Sequence, residues 1–240
     1  MTGRRLTEAE QQFNQRRNAA LARTDSTYVA SAPFVFANRV TVTAALSRIE
    51  LFKMVMDVPG AIVECGVYRG NSLMLYMHLS SILEPYAINR SIIGFDTFAG
   101  FTSIDDEQDP ADINADMFAD TDPKLIQDMI DANDLVRPVN RIPRCEIVEG
   151  DIARTVPEFV KTRPDLVVAM LILDTDLYES TKVALETFLP LMPKGGLVVF
   201  DEVAYVNFPG ETSALKEVVD LNTVELKRLP FDSCVGYFRV

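Results

Sequence analysis

The spacing of apolar and polar positions changes period several times along the 240-residue chain. Before residue 57 the pattern is helical. Leu6, Phe13, Ala20 and Leu21 form a thin apolar stripe within the first 27 residues. After Ser31-Ala32-Pro33, the residues Leu46, Ile49, Leu51, Met54 and Val55 are spaced for a buried helical face. From residue 61 short apolar runs alternate with amphipathic stretches. Strands are predicted at Ala61–Gly66, Ile92–Asp96, Cys145–Glu149, Leu166–Leu173 and Leu197–Phe200, and helices at Ser72–Leu83, Lys124–Asp134, Val156–Lys161, Ser180–Leu191 and Thr212–Leu221. Thr223–Pro230 and Cys234–Val240 read as two closing strands. This order predicts an α/β fold: one Rossmann-like domain with a mostly parallel seven-stranded sheet, helices on both faces and an antiparallel C-terminal strand pair. Residues 1–57 are expected to be a helical extension packed on the core, and residues 58–240 the ligand-binding domain.

Composition then removes whole classes of function. The chain carries 35 acids against 23 bases, a net charge of −12. That sign repels phosphate backbones and anionic bilayers, so neither nucleic acid nor a membrane surface is an expected partner. The first 27 residues lean the other way, with Arg4, Arg5, Arg16, Arg17 and Arg23 against Glu8, Glu10 and Asp25. No apolar run reaches the roughly 18 residues of a membrane span, and the N-terminus has no signal-peptide core. Cys65, Cys145 and Cys234 lie too far apart for a zinc pattern or a disulfide framework, which points to a reducing compartment, the cytoplasm. With His78 as the only histidine, acid–base and metal chemistry must fall to carboxylates.

In open α/β sheets ligands sit at the carboxyl ends of the strands, near the switch in strand order. Four of the five predicted parallel strands are followed there by a leading acid: Asp96, Asp151, Asp174 and Asp201. The first strand instead carries Glu64 beside Gly66 and Gly70, with Gly-x-x-x-Gly spacing. That is neither the Gly-x-Gly-x-x-Gly dinucleotide turn nor a Gly-Lys phosphate loop. An acid beside the glycines suits a ligand with positive charge or free amine and hydroxyl donors, as in the sulfonium and amino group of S-adenosylmethionine. Asp96 is placed to accept hydrogen bonds from ribose hydroxyls. Gly150-Asp151 would address an adenine amine or simply cap the following helix. The acidic 102–123 stretch, rich in residues such as Asp105, Asp109 and Asp116, is either a solvated loop or a lid.

Four stretches in order resemble the macrocin O-methyltransferase family. They are Ile62-Val63-Glu64-Cys65-Gly66-Val67-Tyr68-Arg69-Gly70-Asn71-Ser72, Gly94-Phe95-Asp96-Thr97-Phe98-Ala99-Gly100-Phe101, Asp174-Thr175-Asp176-Leu177-Tyr178-Glu179-Ser180-Thr181, and Pro193-Lys194-Gly195-Gly196 through Asp201-Glu202. The family methylates sugar hydroxyls in antibiotic biosynthesis. The resemblance implies a class I methyltransferase fold, S-adenosylmethionine as cofactor, usually a magnesium ion, and a small hydroxylated acceptor such as a sugar. The family's last strand usually ends in Asp-Asp, where this chain has Asp201-Glu202. The implied cofactor residues are Glu64, Cys65, Gly66, Val67, Tyr68, Gly70, Asn71 and Ser72 around the methionine part, then Asp96, Thr97 and Phe98, then Gly150, Asp151 and Ile152, and Asp174.

Magnesium takes hard oxygen ligands and keeps waters. Asp174, Asp201 and Glu202 offer three carboxylates from adjacent strand ends, the alternative being an exposed acidic rim. Asp176, two residues past Asp174, is assigned as general base on the expectation that extended geometry continues through it. Tyr178 and Glu179 are expected to pack and cap the next helix with the Ser180 and Thr181 hydroxyls, Arg69 to hold a cofactor carboxylate or a protein acid, and His78 to be packed or at the surface. A homo-oligomer is expected from the amphipathic N-terminal helices. Two rival readings remain: a nicotinamide-dependent oxidoreductase, which the glycine spacing disfavours, and a non-catalytic cofactor-binding subunit, which would not need Asp174, Asp176, Asp201 or Glu202.

Overall fold

The computed structural model describes residues 7–240; Arg4, Arg5 and Leu6 lie outside the described residues. It divides into two compact units, one ending at Leu46 and the other spanning Ser47–Val240. The first contains α1 (Glu8–Leu21), α2 (Ser26–Ser31) and α3 (Pro33–Phe36), none of which buries a residue. Thr7 and Glu10 close a reciprocal capping box at the start of α1. The division falls inside α4 (Arg39–Lys53).

The second unit holds a seven-stranded sheet in the order β3-β2-β1-β4-β5-β7-β6. Its parallel strands are β1 (Ala61–Cys65), β2 (Ile92–Asp96), β3 (Cys145–Glu149), β4 (Val168–Leu173) and β5 (Leu197–Phe200). The closing pair, β6 (Lys227–Arg228) and β7 (Gly236–Arg239), is antiparallel, with β7 against β5. The predicted fold class is what forms. β4 is buried along its whole length, as a parallel strand covered on both faces must be.

Alternate residues of β1 feed two cores. Ile62 joins Leu51, Phe52, Leu73, Tyr76 and Ile126 on the face covered by α4, α5 (Asn71–Leu83) and α6 (Pro123–Val136). Val63 and Cys65 join Val156, Leu185, Phe188 and Leu215 on the face covered by α7 (Ile152–Thr162), α8 (Tyr178–Phe188) and α9 (Gly210–Val218). The result is a three-layer sandwich.

Departures from expectation have local causes. Leu46 is 41% exposed, and the buried stripe of α4 runs through Leu51 and Phe52 and on to Val55. α7 begins four residues early because Asp151 caps it, accepting the Ala153 N–H at 3.1 Å. The strand expected over 223–230 shrinks to two residues, since Asp220 accepts the Asn222 and Thr223 N–H groups and folds the preceding chain into a turn.

Candidate active site

Strands β1, β2 and β3 run outward in one direction from the centre of the sheet, and β4 and β5 in the other. The strand order therefore reverses between β1 and β4, which opens a crevice at their carboxyl ends. Backbone bonds carry the register past the strand ends: Gly66 N–H to Phe95 O at 2.9 Å, Asp174 N–H to Cys65 O at 2.9 Å, and Asp201 N–H to Leu173 O at 2.9 Å. Gly66, Asp174 and Asp201 are thereby set side by side. Gly66 has φ +93°, and a Cβ there would fall 1.8 Å from the Asp174 carbonyl oxygen. Only glycine fits.

Two carboxylates govern the glycine turn. Asp96 Oδ2 accepts the N–H groups of Val67 and Tyr68, both at 2.7 Å, and Oδ1 accepts that of Phe98 at 2.7 Å. It thus fastens the turns after β1 and β2 together. Glu64 is completely buried; Ser72 donates its hydroxyl to Oε1, while Oε2 has no partner. Burial pushes the Glu64 carboxyl up to about 7, against the opposing pull of the Ser72 hydrogen bond and of Arg48. An orphaned carboxylate oxygen beside a turn that admits no Cβ is chemically matched to a cationic ligand end, as on the ammonium and sulfonium of S-adenosylmethionine. Of the other residues expected near a cofactor, Cys65, Val67, Phe98 and Ile152 are buried in the two cores, Asn71 is exposed, and Thr97 closes its own turn onto Gly100 O at 2.6 Å. Asp151 caps α7 and also accepts the Ser103 hydroxyl at 2.9 Å.

The second half of the crevice is acidic. Asp174 and Asp201 are tied by Arg48, whose Nη2 lies 3.5 Å from Asp174 Oδ2 and 2.7 Å from Asp201 Oδ1. Burial opposes the charge on Arg48, but Asp201 and Asp174, with Tyr76, outweigh it and hold the guanidinium above its ordinary value. Burial and then Asp201 push Asp174 well above the carboxylate range. Burial, then Asp201 and Asp109, lift Asp176 to about 7; burial, then Asp176 and Asp201, lift Glu202 to about 8. Glu202 Oε2 is buried with no partner. Extended geometry does not continue past β4 as expected: Asp176 adopts φ +61°, so the chain turns sharply between Asp174 and α8. Glu211, from α9, holds that turn by accepting the Thr175 and Asp176 N–H groups.

The acidic stretch after β2 is neither wholly solvated nor free. Thr121 donates its hydroxyl to Tyr68 O at 2.7 Å, Tyr68 donates its own to Asp120 at 2.7 Å, and Arg69 pairs with Asp120. Arg69 therefore holds a protein acid. Asp109, only 7% exposed, accepts the Tyr178 N–H at 2.8 Å and so caps α8, whereas Ser180 and Thr181 lie inside the helix. His78 is exposed.

Motif reading misses Arg48 and Glu211 and takes Asp109 only as one acid of the 102–123 stretch. For Arg48 a signal existed: it sits three, four and seven residues before Leu51, Phe52 and Val55, on the buried stripe of α4, where an arginine needs carboxylate partners. Among the described residues no three His, Cys, Asp or Glu side chains are gathered into a ready metal site. The donor set itself is all oxygen, and the unpartnered Glu202 Oε2 matches a hard cation chemically.

A family model for macrocin-O-methyltransferase (TylF) matches residues 9–239. Mycinamicin III 3''-O-methyltransferase of Micromonospora griseorubida is 26% identical over 188 residues, 76% of this chain and 69% of that protein. The crystal structure of CalS11, a calicheamicin methyltransferase, superposes with a TM-score of 0.91 at 32% identity, covering 98% of this chain and 94% of that one. The apo structure of CalS11, described as a TDP-rhamnose 3'-O-methyltransferase of calicheamicin biosynthesis, gives 0.85 at 31% identity over 98% and 96% of the two chains. The O-methyltransferase NovP, 20% identical with a TM-score of 0.63 over 82% of this chain and 78% of its own, shares the fold.

Proposed function

This chain belongs to the macrocin-O-methyltransferase family and is an O-methyltransferase, and from that premise we propose that it methylates a hydroxyl of a deoxysugar carried on a nucleoside diphosphate, in the biosynthesis of an antibiotic-type natural product. The observation that carries the acid–base part is Asp176, held in a sharp turn at the switch point with its carboxyl near 7. The nucleotide-linked acceptor draws its support from the end-to-end likeness to CalS11, described as acting on TDP-rhamnose. An aglycone-attached sugar is the second reading, favoured by the likeness to the mycinamicin III enzyme over a shorter span.

Cofactor binding is assigned to residues 58–240. The turn from Glu64 to Ser72 would surround the methionine part of S-adenosylmethionine, with the Glu64 Oε2 toward its positive end; Asp96 and Thr97 would lie toward the ribose, and Gly150-Asp151 toward the adenine. When bound, that cofactor supplies an electrophilic sulfonium methyl for attack by oxygen. Asp174, Asp201 and Glu202 would hold magnesium, which when bound acidifies a hydroxyl and orients it.

The chain's own residues supply the rest. A sugar hydroxyl keeps its proton at neutral pH and is a weak nucleophile, so a positioned base near neutrality is effective. The Asp176 carboxylate accepts the hydroxyl proton as the oxygen attacks. Arg48 holds Asp174 and Asp201 and offsets part of the negative charge of the acidic wall.

The test is methyl transfer to TDP-rhamnose with magnesium and with a chelator, beside isothermal titration with S-adenosylhomocysteine and with NADH. Transfer with magnesium, loss in chelator and binding of S-adenosylhomocysteine alone are expected. Full activity in the chelator removes the metal, transfer only to an aglycone-attached sugar selects the second reading, and binding of NADH alone overturns the whole.

A further inference from the structure

Two buried carboxylates outside the cofactor and metal sets converge on the turn that carries Asp176. Glu211, in the first turn of α9, is fully buried. Its Oε1 accepts the backbone N–H groups of Thr175 at 3.1 Å and Asp176 at 3.2 Å, and its Oε2 accepts that of Glu202 at 3.3 Å. Asp109 approaches from the segment after β2, with Oδ1 on the Tyr178 N–H and Oδ2 on the Asp105 N–H, both at 2.8 Å. Gly210 fills the remaining gap. A Cβ there would come 2.4 Å from Asp109 Oδ1, 2.5 Å from Tyr178 N and 2.9 Å from the Asp176 carbonyl oxygen.

A positive φ at a residue other than glycine costs energy and persists only where the surroundings over-determine it. Asp176 has φ +61°, and the bonds of Glu211 and Asp109 on either side supply that constraint. The chemistry of Glu211 is matched to the task. Donors face both of its oxygens, so two acceptors are needed; a glutamine would offer one and set an amide N–H₂ against the other donor.

We propose that Glu211 is a positioning residue for methyl transfer: it locks the Thr175–Asp176 backbone in its left-handed turn, aims the Asp176 carboxylate at the acceptor oxygen, and couples that turn to Glu202 on the neighbouring strand end. Asp109 braces the same turn at Tyr178. The inference rests on Asp176 being the base. Because Glu211 acts through Asp176, its loss matters only while Asp176 is competent.

The experiment combines hydrogen exchange with a double-mutant cycle. In Glu211→Gln, exchange of the amides at 174–178 and 201–203 is expected to rise by about tenfold, the effect of losing one buried hydrogen bond, while peptides of β1 and α5 keep wild-type protection. Turnover with TDP-rhamnose, or with an aglycone-attached sugar if that is the acceptor, should fall at an unchanged affinity for S-adenosylhomocysteine. The double variant Glu211→Gln/Asp176→Asn should be no slower than Asp176→Asn alone. Losses that multiply, or unchanged local exchange, overturn the inference while leaving the base assignment intact. Full activity in Asp176→Asn overturns the base and the inference with it. Should Glu211→Gln fail to fold, Asp109→Asn takes its place in the same cycle, with the same non-multiplying loss expected and a multiplying one counting against the proposal.

Discussion

Arg48 Nη2 lies 2.7 Å from Asp201 Oδ1, joining α4 to the end of β5 over 153 residues of sequence. The same nitrogen reaches Asp174 at 3.5 Å, so one guanidinium serves the ends of two adjacent strands. With a side chain only 10% exposed, Arg48 cannot exchange these partners for water. Removing it leaves two carboxylates facing each other. Arg48→Met is expected to cost about 1–3 kcal/mol of stability, less than a fully buried pair would, because the Asp174 and Asp201 side chains are 32% and 28% exposed. Urea unfolding measures this; a loss within 0.5 kcal/mol, a typical surface effect, would show the pair to be a surface one in solution.

Glu64 predicts a pH dependence of folding. Its carboxyl is raised to about 7 from an ordinary 4.5 by burial, so the folded state holds this proton more tightly than the unfolded chain does. The stability it contributes is therefore complete below about 4.5 and is lost as pH rises through about 7. The shift corresponds to about 3 kcal/mol. Glu64→Gln should flatten the stability profile between pH 4.5 and 7 and gain on the wild type at pH 8. Parallel profiles for the two proteins would contradict the assignment.

Asp96 binds three backbone N–H groups, which makes Asp96→Ala a test of two roles at once. Leaving those donors unpaired should destabilise the protein by about 1–3 kcal/mol. A ribose contact would in addition weaken S-adenosylhomocysteine by about 1.5–3 kcal/mol, the range for bonds to a charged group. Lost stability with unchanged affinity would confine Asp96 to fastening the two turns.

The Asp176 carboxyl, near 7, must be ionised to accept a proton. kcat/KM for the sugar acceptor should accordingly rise with pH through about 7 and level off above it. Asp176→Asn should lower turnover by about 10²–10⁴-fold and abolish that rise, as loss of a positioned base does. A limb that survives unchanged in the variant would assign it to another group.

Much of this molecule is legible before folding is considered. The parallel sheet follows from apolar runs such as Leu166–Leu173, because a strand covered on both faces must be apolar throughout. The glycine turn follows from Gly66 and Gly70, which permit a tight bend just after the first strand. The acids at the strand ends are read from the same order of elements, and the family from the four motif stretches that resemble it. These features are local: each depends on a few neighbouring residues and on rules of periodicity and turn geometry.

What only the tertiary structure decided are relationships between residues remote in sequence. Asp176 does not continue the strand, because Glu211, 35 residues onward, accepts its N–H and holds it in a turn. α8 is capped by Asp109, 69 residues before Tyr178, rather than by its own hydroxyls. Arg48 belongs to the acidic wall although it lies in a helix far upstream. A buried charge is tolerable only where partners of opposite sign or hydrogen-bond donors meet it, and which segments bring those partners is settled by how the layers pack, a property that no stretch of sequence carries by itself.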